Sequence, residues 1–269
     1  MSEATMHRIG ILGCGNMGAA IIRALAKSSE FITELVIYDI DSELVSSLAT
    51  EVSAKIAGSV EELNESSELI ILAVKPQILP SIFPILAKKP NQNYISIAAG
   101  VSLETLSSSL SSKQIIRFMP NIAASVGKAL TAISPHEEAS RELTRLAESI
   151  GATFGVITRI PEKQMSAFIG ISGSAIAFFY QFLHAIALGG TQQGIPYNQS
   201  VTIAAETFSG AIELMKDSEE LPASLITSVT SAGGTTIEGI HALEQGNFTG
   251  TVMGAVKAAA ERGLKLEKQ

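Results

Sequence analysis

The first part of the chain alternates short apolar runs with amphipathic stretches. Arg8–Leu12, Leu35–Tyr38, Leu69–Val74, Tyr94–Ile97 and Ile115–Met119 are dense in Ile, Val and Leu. Most of them lack an in/out alternation, the pattern expected of strands covered on both faces. Between them, Asn16–Lys27 and Ser42–Thr50 carry apolar residues at helical spacing. Such an order predicts a doubly wound parallel sheet with helices on both sides. Pro135 is expected to open a further helix, with Leu143, Leu146, Ala147 and Ile150 on one face and Gly151 as its stop.

Beyond Pro161 the texture becomes helical. Glu162–Gly189, Tyr197–Lys216, Pro222–Val229, Thr236–Gln245 and Gly250–Lys265 are separated by breaks at Gly189-Gly190, Gly194-Ile195-Pro196 and Ala232-Gly233-Gly234. The boundary is therefore placed at Ile160-Pro161, giving an α/β domain over 1–160 and an all-α domain over 161–269. Within Val201–Met215 the polar side chains are only Thr202, Glu206, Thr207, Ser209 and Glu213. Helices this apolar exceed what one small domain covers, so a homo-oligomer is expected. Ala175–Leu188 is interrupted by Gln181 and His184. It is expected to fall short of a bilayer span and to be buried, with no membrane partner.

Composition narrows the classes. The 269 residues are 46% hydrophobic, which is ample for a packed core and excludes a disordered chain. Twenty-six acids against nineteen bases give a net charge of −7, which argues against a nucleic-acid partner. The single cysteine, Cys14, has no intrachain partner for a disulfide. With the opening MSEATMHR lacking a leader pattern, the expected location is cytoplasmic. His7, His136, His184 and His241 show no metal-ligand spacing, and no metal is expected. His184 reads as a core or interface histidine rather than a base.

Chemistry enters at Gly13-Cys14-Gly15-Asn16-Met17-Gly18, a GxGxxG motif between a strand ending at Leu12 and an amphipathic helix. In that setting the first glycine makes the tight turn, the second lets backbone approach a pyrophosphate, and the third packs helix on strand. The helix start offers free N–H groups and a partial positive charge; the alternative is a tight turn without ligand. Asp39 closes the second strand. It can accept from an adenosine ribose 2′-hydroxyl and would repel a 2′-phosphate, and no Arg or Lys lies in Ile40–Leu48. NADH is thereby favoured, although Asp39 or Asp41 could instead cap the following helix. Ala73-Val74-Lys75-Pro76 and Ala98-Ala99-Gly100 follow two further strands and are expected to line the nicotinamide end; Lys75 reads equally well as a solvated loop cation. In the helical half, Thr230-Ser231-Ala232-Gly233-Gly234-Thr235-Thr236 opens a helix, and its backbone N–H groups could hold a carboxylate. Helix capping by Thr235 or Thr236 is the competing reading.

Taken in order, GCGNMG at Gly13–Gly18, AVKPQ at Ala73–Gln77, SIAAGVSLETL at Ser96–Leu106, RFMPNIAASVG at Arg117–Gly127, ISGS at Ile171–Ser174 and TSAGGTTIEGIHALEQG at Thr230–Gly246 resemble the pyrroline-5-carboxylate reductases nearly end to end. The resemblance implies a Rossmann domain, a helical dimerisation domain, and dimers that can assemble into a ring of five. It implies hydride transfer from NADH or NADPH (the family often uses NADPH) to 1-pyrroline-5-carboxylate, giving L-proline. It places Thr236 near the imine nitrogen as the catalytic hydroxyl. Ser231, Gly233, Gly234 and Thr235 fall around the substrate carboxylate, with Asn121 and Ser174 among the substrate residues. The sequence departs from the family at Ala175-Ile176 (usually Gly-Pro), Ala232 (Pro), Ile122 (Thr), and His184 and Leu188 (acidic). These departures keep open a degenerate regulatory paralogue. A 3-hydroxyacid dehydrogenase is the other alternative, but it would need a lysine that Gly170–Gln181 lacks.

Overall fold

The computed structural model describes residues 7–28 and 33–267; the opening residues read above for a leader lie outside them. An eight-stranded sheet has the order β3-β2-β1-β4-β5-β6-β7-β8. Its strands are β1 His7–Leu12, β2 Thr33–Tyr38, β3 Lys55–Ile56, β4 Leu69–Leu72, β5 Asn93–Ser96, β6 Ile115–Met119, β7 Ala129–Pro135 and β8 Gly155–Arg159. Neighbours are parallel except for β6 and β7.

The helices of this half are α1 Asn16–Lys27, α2 Ser42–Val52, α3 Val60–Ser66, α4 Leu79–Leu86, α5 Leu103–Leu110 and α6 Arg141–Ala152. They form two layers. Ile9, Ile11, Leu69 and Ile71 share a core with α1, α2 and α6. Leu12, Ile70 and Leu72 share the opposite core with α3, α4 and α5. Consecutive strand residues thus enter different cores, and this is why Leu69–Leu72 is apolar at every position and buried throughout. Each such side chain contributes about 1.5–3 kcal/mol on burial, more than the roughly 1 kcal/mol of a good helix cap. The pattern of strands therefore dominates the local signals.

The structure corrects several expectations. Pro135 ends β7 and opens no helix; α6 begins at Arg141, capped by Ser140, whose Oγ accepts from the Leu143 N–H at 3.0 Å. The strands β3, β7 and β8 are too short or too mixed in polarity to stand out in the sequence. The strand expected to run from Leu69 to Val74 is also shorter. It stops at Leu72, where Ala73 turns to donate its N–H to the Leu12 carbonyl at 2.8 Å.

Two compact units emerge. The first contains the described residues through Gly173 and those from Ala259, and the second is Ser174–Ala258. The texture change at Pro161 precedes this division because Met165 and Phe168, of the short helix α7 Met165–Phe168, join Met119 and Ala132 in one buried cluster of the first unit. The second unit holds α8 Ala175–Gln192, α9 Tyr197–Ser218, α10 Pro222–Ser228 and α11 Thr235–Gln245, and α12 Phe248–Glu267 begins in it.

The helical run Glu162–Gln192 spans 31 residues and is long and apolar enough, by length and composition, to cross a membrane. This matches the helical stretch expected over Glu162–Gly189, joined to α8 through a π turn at Ile169–Gly173, and it corrects the expectation, drawn from Ala175–Leu188 alone, of a helix short of a bilayer span. Nor is α8 buried as expected: only Ala187 is fully covered within the chain.

Candidate active site

The six strands from β3 to β6 run in one direction, so their carboxyl ends share one edge. Open α/β sheets collect ligands at that edge. The structure brings there Leu12 and Gly13–Gly18 after β1, Asp39 after β2, Ala73–Pro76 after β4, Ala98 and Ala99 after β5, and Asn121 after β6.

The three glycines of the first loop are required for different reasons. Gly13 has φ +105° and donates its N–H to the Tyr38 carbonyl at 2.8 Å; a Cβ there would meet the Ala73 backbone at 2.7 Å. A Cβ on Gly18 would stand 2.0 Å from the Gly13 carbonyl oxygen. At Gly15 a Cβ would meet nothing within 4 Å. The protein's own packing explains the first and third positions but leaves open space over the second. Gly15 is also the N-cap of α1, which has no side-chain cap. Uncapped N–H groups beneath open space fit a pyrophosphate.

Asp39 is half-buried beside this loop. Its Oδ2 accepts from the Cys14 N–H at 2.6 Å and its Oδ1 from the Asp41 N–H at 3.0 Å. The cap of α2 is Asp41, whose Oδ1 accepts from the Leu44 N–H at 3.0 Å. The capping alternative therefore belongs to Asp41, and Asp39 instead ties the end of β2 to the glycine loop. Ile40, next to it, is 94% exposed. The Cys14 thiol is fully buried, and burial, then the charge of Asp39, pushes its pKa up to about 12. It is a packing residue without nucleophilic character. Lys75 is exposed on a loop, with Pro76 opening a 3₁₀ turn behind it.

Asn121 caps the turn Ile122–Val126, its Oδ1 accepting from the Ala123 N–H at 3.3 Å. Its Nδ2 donates to the Ser172 Oγ at 3.1 Å. Ser172 is buried in the π turn, a local widening that often marks functional sites. Of the two serines of the ISGS segment, it is Ser172, and not the expected substrate residue Ser174, that meets Asn121. Ser174 is half-buried, in the second unit, and makes no capping bond to α8.

Ser231, Gly233, Gly234, Thr235 and Thr236 also lie in the second unit. Gly233 has φ +66°, and the Gly234 N–H donates to the Ser231 carbonyl at 3.1 Å, closing a tight turn. Gly234 is the N-cap of α11 and no side chain caps that helix. Thr235 and Thr236 are its first two residues, so neither hydroxyl is used as the cap. His184, exposed in the single chain, shares a 2.9 Å hydrogen bond with the Tyr197 hydroxyl.

Arg117, in the apolar run Ile115–Met119, is a further charged residue of the first unit. Its side chain is buried, yet Nη1 donates to Glu162 Oε1 at 2.6 Å and Nη2 to Glu267 Oε1 at 3.2 Å. The sequence carries one signal of this: a lone cation inside the apolar run IIRFM has to find carboxylates. Among the described residues no group of three or more His, Cys, Asp or Glu is placed to hold a metal.

Comparison with known proteins matches two family models. Residues 162–266 match pyrroline-5-carboxylate reductase dimerisation, and residues 8–100 match NADP oxidoreductase coenzyme F420-dependent. A pyrroline-5-carboxylate reductase of Aquifex aeolicus is 37% identical, covering 96% of this chain and 97% of that protein. That of Escherichia coli is 32% identical over 97% and 98%. The crystal structure of the Streptococcus pyogenes enzyme is similar at a TM-score of 0.87 and 30% identity, covering 97% of this chain and 99% of that one. The Plasmodium falciparum pyrroline carboxylate reductase with NADP bound gives 0.85 and 27%, over 97% and 98%.

Proposed function

Because the chain belongs to the pyrroline-5-carboxylate reductase family, we propose a division of labour among its residues for the reduction of 1-pyrroline-5-carboxylate to L-proline. The reaction is the function of the chain; the regulatory and hydroxyacid dehydrogenase alternatives are not favoured. It is carried by one observation: relatives of that name match nearly end to end, at 37% identity in the Aquifex aeolicus case.

The nicotinamide dinucleotide supplies the hydride. Leu12, Gly13–Gly18 and the uncapped start of α1 hold its pyrophosphate, the open space over Gly15 being the supporting feature. Asp39 accepts from the adenosine ribose, and with Ile40 where a basic residue would serve a 2′-phosphate, NADH is the preferred form. Ala73–Pro76 and Ala98–Gly100 line the nicotinamide end. The turn Ser231–Thr235 presents N–H groups to the substrate carboxylate, and Asn121 and Ser174 are further substrate-contacting residues.

Thr236 donates a hydrogen bond to the imine nitrogen; as hydride reaches C5 the C=N electron pair moves onto that nitrogen, which takes a proton relayed from solvent through the hydroxyl to give the secondary amine. An imine accepts hydride once its nitrogen is protonated or hydrogen-bonded, so a hydroxyl suffices where a carbonyl would need a stronger acid. Catalysis is then chiefly positioning and electrostatics. The exposed apolar residues of the second unit, Leu214 and Met253 among them, pair across a two-fold axis as a dimer. A ring of five dimers is the larger assembly in the same proposal. A cytoplasmic location accords with the free thiol of Cys14.

The test is oxidation of NADH and of NADPH by the purified protein in the presence of the imine. Imine-dependent oxidation with NADH at least as effective is expected. Oxidation of neither would overturn the reaction, and a strong preference for NADPH would overturn the role of Asp39.

A further inference from the structure

Arg117 stands in the middle of β6, where Ile115, Ile116, Phe118 and Met119 are all buried and apolar. A guanidinium keeps its proton in proteins, so one buried in such a strand has to be paired. It is paired twice, with partners distant in sequence, Glu162 and Glu267. The same Glu162 Oε1 also accepts from the Leu103 N–H at 2.6 Å. Leu103 is the first residue of α5, just past Ala98-Ala99-Gly100.

Glu267 ends α12. The residue before it, Leu266, lies against Gly100: a Cβ on Gly100 would stand 3.1 Å from the Leu266 carbonyl carbon. The guanidinium thus joins two segments that border one loop, the first at its exit and the second directly on it. Ala98 is anchored, buried in the core with its N–H donating to Ser96 Oγ at 3.3 Å, but Ala99 and Gly100 beyond it carry only a methyl group and a hydrogen. Buried ion pairs are poor sources of net stability, since apolar residues of the same volume often do as well. In several proteins what such a pair supplies instead is a fixed register between the segments it joins.

We propose that Arg117, Glu162 and Glu267 are a positioning clasp, seating the last turn of α12 on Gly100 and so fixing Ala98–Gly100 where the nicotinamide end of the dinucleotide is bound. This rests on the reading of Ala98–Gly100 as nicotinamide-lining. The three charged residues act through the loop and are positioning residues, not catalytic ones.

The experiment compares full-length Glu267→Ala, Glu267→Gln and Gly100→Ala with the parent protein. It measures KM for dinucleotide and for imine, NADH affinity by fluorescence titration, and the melting temperature. Glu267→Ala is expected to raise KM and Kd for NADH about ten-fold, the scale of a small misplacement, with KM for the imine nearly unchanged. Glu267→Gln keeps an acceptor oxygen for Arg117 and should restore most of the loss. Normal NADH affinity and KM in Glu267→Ala, whether or not its melting temperature falls, would overturn the clasp. Gly100→Ala separates the two layers of the argument. If it weakens NADH binding while Glu267→Ala does not, the loop is correctly placed and the clasp is wrong. If neither variant changes NADH binding, the placement of the loop has failed, and the clasp with it.

Discussion

The proposed reaction gives two side chains separable duties, Asp39 in the choice of dinucleotide and Thr236 at the imine. Asp39 is held from two sides by backbone N–H groups, which orients its carboxylate in advance for the proposed ribose contact. Asp39→Ser should lower the ratio of kcat/KM for NADH over NADPH by about ten-fold or more, ~1.4 kcal/mol; an unchanged ratio would remove Asp39 from the selection. Thr236 is a first-turn residue without a capping duty. Thr236→Ala should therefore depress kcat by about 10²–10³, the loss of one donor to developing charge, with NADH affinity and melting temperature close to the parent's. Thr236→Ser should keep most of the activity.

Cys14 gives a pH test at the same scale. Its thiol is held protonated by burial, from an ordinary 9.0 up to about 12. Burial likewise raises the Tyr94 hydroxyl above its ordinary 10.0. Above pH 9 the unfolded chain releases the Cys14 proton while the folded chain keeps it. This contribution to stability is therefore intact below the unfolded value and declines as pH climbs from 9 toward 12, by at most about 1.4 kcal/mol per pH unit. Denaturation midpoints should fall over that range, and Cys14→Ala should flatten the fall.

At the scale of the element, the loop between β1 and α1 separates packing from binding. Gly18→Ala forces a methyl into the Gly13 carbonyl oxygen, 2.0 Å away, and should destabilise the domain by several kcal/mol, about the cost of core overpacking. Gly15→Ala meets no protein atom within 4 Å. It should fold with nearly the parent's melting temperature and yet bind NADH markedly more weakly, as titration would show. Equal NADH affinity in a folded Gly15→Ala protein would mean that the space over Gly15 receives nothing. The motif was legible in the sequence because its glycines sit between a strand and a helix. Their separate roles were legible too; the atoms that exclude a side chain were not, because Ala73, which closes on Gly13, arrives from the end of β4.

At the scale of the whole molecule, the second unit exposes large apolar side chains along successive helices: Tyr180 on α8, Leu214 on α9, Ile226 on α10 and Met253 on α12, each more than half exposed. A chain with this surface should sediment as a dimer or larger at micromolar concentration, and a folded, active monomer would refute the pairing. The helices and their greasiness were plain from composition. So was the need for cover from another copy; what was not legible is that Ala175–Leu188, patterned for burial, lies largely uncovered within its own chain.

The parallel strands β1, β2, β4, β5 and β6, the glycine loop and the GGTT helix start are legible in the sequence, because each is written in neighbouring residues whose spacing matches a local geometry. The tertiary structure alone decided which aspartate caps α2 and which serine, Ser172 rather than Ser174, meets Asn121. It also decided where β7 and β8 complete the sheet and what becomes of Arg117. Those outcomes depend on partners as remote as Glu162 and Glu267, and only the folded path of the chain brings such partners within hydrogen-bonding distance.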